Sequence, residues 1–162
     1  MEDKNKDSTF PIRGKIINNI NSLNKNTSSK RRCPKTGSFI GYKVALKYPV
    51  PKEIPISLRD LCILKLEIPE DAKRISTVGK KCRCDKAKVL RIYDFVSYMV
   101  LDDLRKCHSV ITNSYSWHDP SFKYKLGETV SVNDFDDDTS KVCSSGIHFF
   151  RNIKDAVNYI IN

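Results

Sequence analysis

Four short apolar runs, separated by proline and polar segments, limit most strongly what this chain can fold into. They cover residues 38–46, 61–68, 87–93 and 146–150. Residues 87–93 alternate apolar and polar side chains, which is typical of a strand with one buried face. Each run is too short for a typical helix, and Pro69 ends the second of them. We therefore predict four core strands.

Apolar residues at helical spacing predict two helices. Asp94 is a candidate N-cap for a helix that runs to about Cys107, and a second helix begins at Asn152 and ends near Ile161. Residues 70–73 carry carboxylates directly after a proline, which favours one further helical turn. The sequence thus predicts two or three helices beside the strands.

Weaker signals lie between these elements. Residues 73–86 are predicted to form a basic connector, and residues 109–121 an irregular loop or edge. Two short strand runs, 122–126 and 128–132, are separated by Gly127, which indicates a hairpin or a bulge. The predicted fold class is α+β, with a small, mostly antiparallel sheet.

Residues 1–35 are predicted to be a basic, flexible and largely disordered leader, and residues 36–162 one globular domain. The leader holds nine basic and three acidic side chains, within a chain of net charge +10. Such an arm can bind nucleic acid through phosphate contacts. Its one aromatic residue, Phe10, gives it no series of rings on which bases stack. Nucleic-acid binding therefore stays an alternative to a solvated leader.

The start of the chain is charged, and no apolar run approaches the roughly 18 residues that span a membrane. We therefore expect an intracellular protein that is not secreted and has no membrane partner. Its six cysteines are then expected to be reduced thiols.

The cysteine spacing gives little support to a metal site. Cys82 and Cys84 form one close pair, but structural zinc sites use two such pairs. We therefore predict no cofactor. A mixed zinc site of Cys82 or Cys84 with Cys143 and His148 is the alternative.

His148 lies inside an apolar run, where an imidazole must have a defined role. It is a hydrogen-bonded core group, a ligand-contacting or catalytic group, or a metal ligand. A nucleophilic pair of Cys143 and His148 requires the intervening residues to turn, since five positions along a strand place them on opposite faces. Whether the protein is an enzyme stays open, with binding favoured.

Several segments resemble an uncharacterised domain family of giant DNA viruses and phages, whose members often lie beside pentapeptide repeats. The resemblance spans roughly residues 37–160 and includes the closing motif Cys-Ser-Ser-Gly-Ile-His-Phe-Phe at 143–150. It implies a viral protein of the host cytoplasm or virion and brings no activity with it. The family pattern also implies that Cys82 lies near Cys143.

A second, shorter resemblance joins the Gly-Ile-His-Phe segment at 146–149 to Asn158 and Tyr159, and includes Trp117 with His118. These residues are similar to the NAD-binding segments of poly-ADP-ribosyltransferases. The resemblance implies that His118 binds the nicotinamide ribose and that His148 and Tyr159 frame the nicotinamide.

The chain departs from that transferase pattern at three places. Ala156 stands where the family has a hydrogen-bonding Ser, and His148 replaces its Tyr. We expect no catalytic Glu, since its strand would lie beyond Asn162.

Together these observations favour a binding or interaction module with a protein partner. An NAD- or nucleotide-binding domain is the alternative. For a small ligand, the expected cleft contains His148, His118 and Tyr159, with Cys82 and Cys143 close to it. The candidate catalytic residues are His148, His118 and Tyr159. The candidate ligand-binding residues are His148, Tyr159 and Cys143.

Overall fold

The computed structural model describes residues 32–107 and 111–161. Residues 1–31, which make up most of the predicted leader, lie outside the described residues, so the leader's flexibility stays a prediction. The described strands are β1 Phe39–Leu46, β2 Leu61–Ile68, β3 Arg74–Ser76, β4 Lys81–Cys84, β5 Lys86–Asp94, β6 Asn113–Tyr115, β7 Lys123–Lys125, β8 Thr129–Ser131 and β9 Ile147–Phe150. The α-helices are α1 Phe95–Leu101 and α2 Ile153–Ile161, with 3-10 turns at Leu58–Asp60 and Leu104–Lys106.

The strands form one antiparallel sheet in the order β3-β4-β9-β1-β2-β5-β8, and β6 and β7 continue it beyond one end of β1. Its centre is the pair β1 and β2, in register from Phe39 opposite Ile68 to Leu46 opposite Leu61. The prediction of a mostly antiparallel α+β fold is confirmed, and the described residues form two α-helices where two or three were predicted. With nine described strands, however, the sheet is larger than the small one that the sequence predicts.

Both faces of the sheet are covered by apolar side chains. Strand β2 shows why, because Cys62, Leu64 and Leu66 point into one buried cluster while Leu61 and Ile63 point into the other. The second cluster contains the buried residues of α1 and α2, so both helices pack on the same face of the sheet. The candidate site lies on this helical face.

Helix α1 begins as predicted and ends early. The carboxylate of Asp94 accepts a hydrogen bond from the backbone N–H of Ser97 at 2.8 Å, as an N-cap does. Asp102 then adopts a left-handed conformation with φ of 52°, which stops the helix after Leu101. The predicted extension to Cys107 is therefore wrong, because the chain turns and forms a separate 3-10 turn instead.

The predicted basic connector is also wrong, because it contains strands β3 and β4. All four residues of β4 are buried, including Lys81 and Arg83. A run that alternates charged residues and cysteines does not indicate a buried strand unless partners for the charges are known.

The helical turn predicted at residues 70–73 is not formed, and the chain makes a simple turn there.

The two strands around Gly127 are confirmed as strands, but they do not form a hairpin with each other. Strand β7 pairs with β6, and β8 pairs with β5. Gly127, with φ of 83°, lies in the turn between β7 and β8. Strand β6 falls within the segment predicted as a loop or edge.

Candidate functional site

A small cavity opens on the helical face, where β1, β4, β9 and α2 meet the loop after β6. Its volume is about 30 Å³. Its polar and aromatic lining consists of Lys43, Lys81, Trp117, His118, His148, Phe150 and Tyr159. The structure thus brings together His118, His148 and Tyr159, which sequence analysis singled out as one cleft.

Strand pairing explains how the cavity is assembled. In the antiparallel pair β4 and β9, Lys81 lies opposite Phe150 and Arg83 opposite His148. Directly opposed residues share one face of a sheet, so Lys81 and His148 both face α2. Tyr159, on α2, covers Lys81: the Lys81 Nζ donates to the Tyr159 hydroxyl at 3.2 Å and lies 4.7 Å from the ring centroid.

His148 has one nitrogen committed to the protein. Its Nε2 lies 2.7 Å from the backbone oxygen of Ser144, and since a carbonyl only accepts, Nε2 carries the hydrogen. Burial, and then the charges of Lys81 and Lys43, lower the His148 pKa to about 4. The ring is therefore neutral at pH 7, and its Nδ1 keeps a lone pair.

Lys81 and Lys43 place two ammonium groups at this cavity. The side chain of Lys81 is buried, and its Nζ lies 3.7 Å from the Cys143 sulfur as well as beside Tyr159. Lys43 is half-buried, and its Nζ donates to the backbone oxygen of His148 at 3.0 Å. Within residues 32–107 and 111–161, no carboxylate oxygen lies within 4 Å of either Nζ.

The effect of these charges is visible in their neighbours. Burial and the nearby Lys81 charge lower the Lys43 pKa to about 8. The pKa of His118 is also lowered, by burial and then by Lys43 and Lys81. Three basic groups thus have lowered pKa values, first because desolvation disfavours their charged forms and second because the lysine charges repel a further positive charge.

The three candidate cysteines, Cys82, Cys84 and Cys143, fall into two separate environments. Cys143 is exposed and its sulfur lies beside the Lys81 Nζ, whereas Cys82 and Cys84 are buried in the cluster on the opposite face of the sheet. Adjacent residues of a strand point to opposite faces, which separates Cys82 from Lys81. The expected proximity of Cys82 to Cys143 and to the cleft is therefore wrong. Among the residues described, no group of three His, Cys, Asp or Glu side chains could hold a metal ion.

Arg83 anchors the loop that carries Cys143 and Ser144. Its fully buried guanidinium donates to the backbone oxygens of Asp136, Asp138 and Lys141, each at 2.9 Å. Hydrogen bonds to three backbone carbonyls thus offset the free-energy cost of burying the guanidinium charge. The loop at residues 136–141 is thus held through its main chain, and the carboxylate of Asp136 also accepts a hydrogen bond from the Ser144 hydroxyl.

Sequence analysis missed Lys43, Lys81 and Arg83. Lysine and arginine are expected at the surface, and the alternation of charged residues and cysteines in β4 is only four residues long. One signal was present at Lys43, which lies in the middle of a predicted strand between apolar neighbours.

A second, open groove of about 970 Å³ runs along the edge strand β3. Arg32 and Lys35, which belong to the predicted leader, contribute to its lining together with Arg74. The Arg74 guanidinium donates to four backbone oxygens, of Gly37, Pro69, Glu70 and Ala72. Its donors are therefore used within the protein, and the groove has no aromatic lining in the described part of the chain.

Among the helices that the structure describes, none has the length and apolarity needed to cross a membrane.

Comparison with known proteins agrees with the viral resemblance. Residues 29–156 match a family of unknown function, DUF5758. The chain is also 38% identical over 103 residues to an uncharacterised protein of Acanthamoeba polyphaga mimivirus, across 60% of this chain and 61% of that protein. The chain thus spans about three fifths of the length of this relative. No solved structure matches it at a significant level. Since the family match covers most of the sequence, the chain belongs to DUF5758, a family of unknown function.

Proposed function

We propose that this domain binds a phosphate monoester, such as a nucleotide, with the phosphate group seated at the cavity of Lys43, Lys81, His148 and Tyr159. The observation that carries this proposal is the pair of ammonium groups at one cavity without a carboxylate partner in the described chain. A buried, unpaired charge is costly, and a bound anion removes that cost.

A phosphate monoester suits the site better than a carboxylate does. Its second pKa near 6 gives it a charge of roughly −1.5 to −2 at pH 7, which matches two ammonium groups. The Tyr159 hydroxyl accepts from Lys81, so its own hydrogen is left to donate to a ligand oxygen. The cavity therefore offers both charge and directed donors.

The size of the cavity restricts how much of the ligand it encloses. Its 30 Å³ is an order of magnitude below the roughly 300–1,000 Å³ of pockets that enclose whole ligands. It therefore suits a head group and not an enclosed nicotinamide ring. The remainder of the ligand would lie at the mouth, against Trp117 and the exposed side chains of His118 and Tyr159. Aromatic surfaces there favour a ligand with a planar base.

Calorimetric titration with AMP, inorganic phosphate and adenosine tests the proposal. We expect AMP and phosphate to compete for one saturable site and adenosine to bind at least ten-fold more weakly than AMP. Lys81→Met should weaken AMP binding at least ten-fold, whereas Lys88→Met, at an exposed lysine of β5 outside the cavity, should leave it unchanged. Absence of saturable AMP binding, or equal weakening by both variants, would contradict a specific site.

The finer predictions about cellular context belong to this proposal. The mimivirus relative supports a viral domain that acts in the host cytoplasm or the virion. A protein partner, nucleic-acid binding through residues 1–35 and an association with pentapeptide repeats stay predictions. A nucleotide-binding module can change its affinity for a protein partner when it binds its ligand. Nucleotide binding and a protein partner are therefore compatible.

A further inference from the structure

We propose that Lys43 is a nucleophilic amine, which forms an imine with the carbonyl group of a phosphate-bearing aldehyde or ketone. This inference rests on the proposed phosphate site and assigns it a narrower ligand class. Lys81 would hold the phosphate, and Lys43 would bond covalently to the carbonyl carbon.

The contacts of Lys43 allow it to be uncharged. In the described chain its hydrogen-bond partner is the backbone oxygen of His148, at 3.0 Å. A neutral amine still has hydrogens and donates to a carbonyl as an ammonium does. An ion pair would hold Lys43 in its charged form, but the described residues place no carboxylate within 4 Å of it.

The second lysine of the cavity acts in the same direction. A cationic neighbour and a desolvated environment are two means by which proteins produce reactive lysines. Lys43 has both, since burial and the charge of Lys81 lower its pKa to about 8. An appreciable fraction of its side chain is thus a free amine near neutral pH. Lys81 itself is covered by Tyr159, which leaves Lys43 as the amine for the reaction.

The reaction needs no oxidant or reductant. The lone pair of the Lys43 Nζ attacks the carbonyl carbon and forms the C–N bond, while the carbonyl oxygen takes up a proton and becomes a hydroxyl group. The nitrogen gives up one hydrogen as a proton, which leaves a carbinolamine. The hydroxyl group then takes up a second proton, the C–O bond breaks, and water leaves as the nitrogen lone pair forms the C=N bond. The second hydrogen of the nitrogen is released as a proton. The products are one imine and one water molecule for each amine and carbonyl consumed.

Pyridoxal 5′-phosphate is a suitable probe, because it carries an aldehyde and a phosphate monoester. The full chain is incubated with the probe, reduced with borohydride and mapped by peptide mass spectrometry. We expect Lys43 to be labelled at least ten-fold faster than the exposed Lys88 and Lys125. Pyridoxal without the phosphate should label Lys43 at least ten-fold more slowly. Labelling spread evenly over the twenty lysines of the chain would overturn the inference.

Two further arms separate this inference from the phosphate site itself. Lys43→Arg keeps the charge and removes the nucleophile, so we expect the label at this position to be lost. If AMP binds the wild-type protein but Lys43 is not labelled preferentially, the imine is wrong and the phosphate site stands. In the second arm the probe reacts in the presence of excess inorganic phosphate. If Lys43 is labelled preferentially but this phosphate does not slow its labelling, the phosphate site is wrong. Circular dichroism of Lys43→Arg checks its fold, and the wild-type labelling pattern decides the question without that variant.

Discussion

The side chain of Arg83 occupies the space that any side chain at residue 146 would need. A Cβ atom built on Gly146 would lie 2.7 Å from the Arg83 Cδ and closer still to its Cγ, and Gly146 has φ of 144°. The glycine therefore lets Arg83 pass beside the start of β9 and reach the carbonyls of the loop at 136–141. That loop leads into Cys143, whose sulfur contacts the Lys81 Nζ, and Ser144, whose backbone oxygen contacts the His148 Nε2.

Gly146→Ala should lower the free energy of unfolding by at least about 2 kcal/mol, because it combines a strained φ with a clash against a buried side chain. Gly127→Ala is the matched control. Gly127 also has a positive φ, of 83°, but its Cβ would meet nothing within 4 Å, so we expect a cost of only about 1 kcal/mol. Urea denaturation measures both values. Equal costs would show that the contact with Arg83 has no energetic weight.

Lys81→Met should stabilise the ligand-free protein by about 1 kcal/mol, because it replaces a buried ammonium without a carboxylate partner by an apolar side chain of similar length. The same variant should bind AMP more weakly. A residue whose replacement raises stability and weakens binding is present for binding and not for folding. Thermal unfolding without ligand measures the effect, with Lys88→Met as the surface control. A lower melting temperature for Lys81→Met would show that its contacts with Tyr159 and Cys143 outweigh the cost of burial.

Stability should depend on pH through His148. Its pKa is about 4 in the folded protein against an ordinary value of 6.5, so the unfolded chain binds more protons between these values. The contribution of His148 to stability is thus complete above pH 6.5 and is lost as the pH falls towards 4. His148→Gln, which can keep a donor for the Ser144 oxygen, lacks this dependence. The difference in unfolding free energy between wild type and variant should therefore change in that range, whereas carboxylate titrations common to both cancel. A constant difference would contradict the buried environment of the ring.

Ligand binding should take up protons near pH 8. An anion beside Lys43 favours its charged form and raises a pKa that is about 8 in the free protein. AMP is already fully ionised there, since its second pKa is near 6. Calorimetry in two buffers of different ionisation enthalpy should give proton uptake at pH 8 to 8.5 in the wild type and none in Lys43→Arg. Equal proton uptake in both proteins would place its source elsewhere.

Much of the fold could be predicted because its central strands are apolar. Strands β1, β2, β5 and β9 carry the hydrophobic patterns that bury one or both faces of a sheet, and Asp94 gives a local capping signal. Strand β4 could not be predicted in this way. Its Lys81 and Arg83 are buried only because a tyrosine and three backbone carbonyls, distant in sequence, accept their hydrogen bonds.

The candidate site, too, could be predicted only in part from the sequence. His118, His148 and Tyr159 were singled out from a family resemblance and a histidine within an apolar run, and they do line one cavity. The charge of the cavity could not be read from the sequence. It depends on two lysines from strands separated by almost forty residues, and on the absence of nearby carboxylates that only the folded arrangement of the described residues reveals.

The most direct test of the account is an NMR titration of inorganic phosphate that follows the imidazole resonances of His118 and His148. Both rings line the cavity, so they report on the proposed site itself. The account predicts that both rings shift in a saturable manner with one dissociation constant, and that Lys81→Met abolishes the shifts at the same phosphate concentrations. Rings that do not respond to phosphate, or that respond equally in Lys81→Met, would contradict phosphate binding at this cavity.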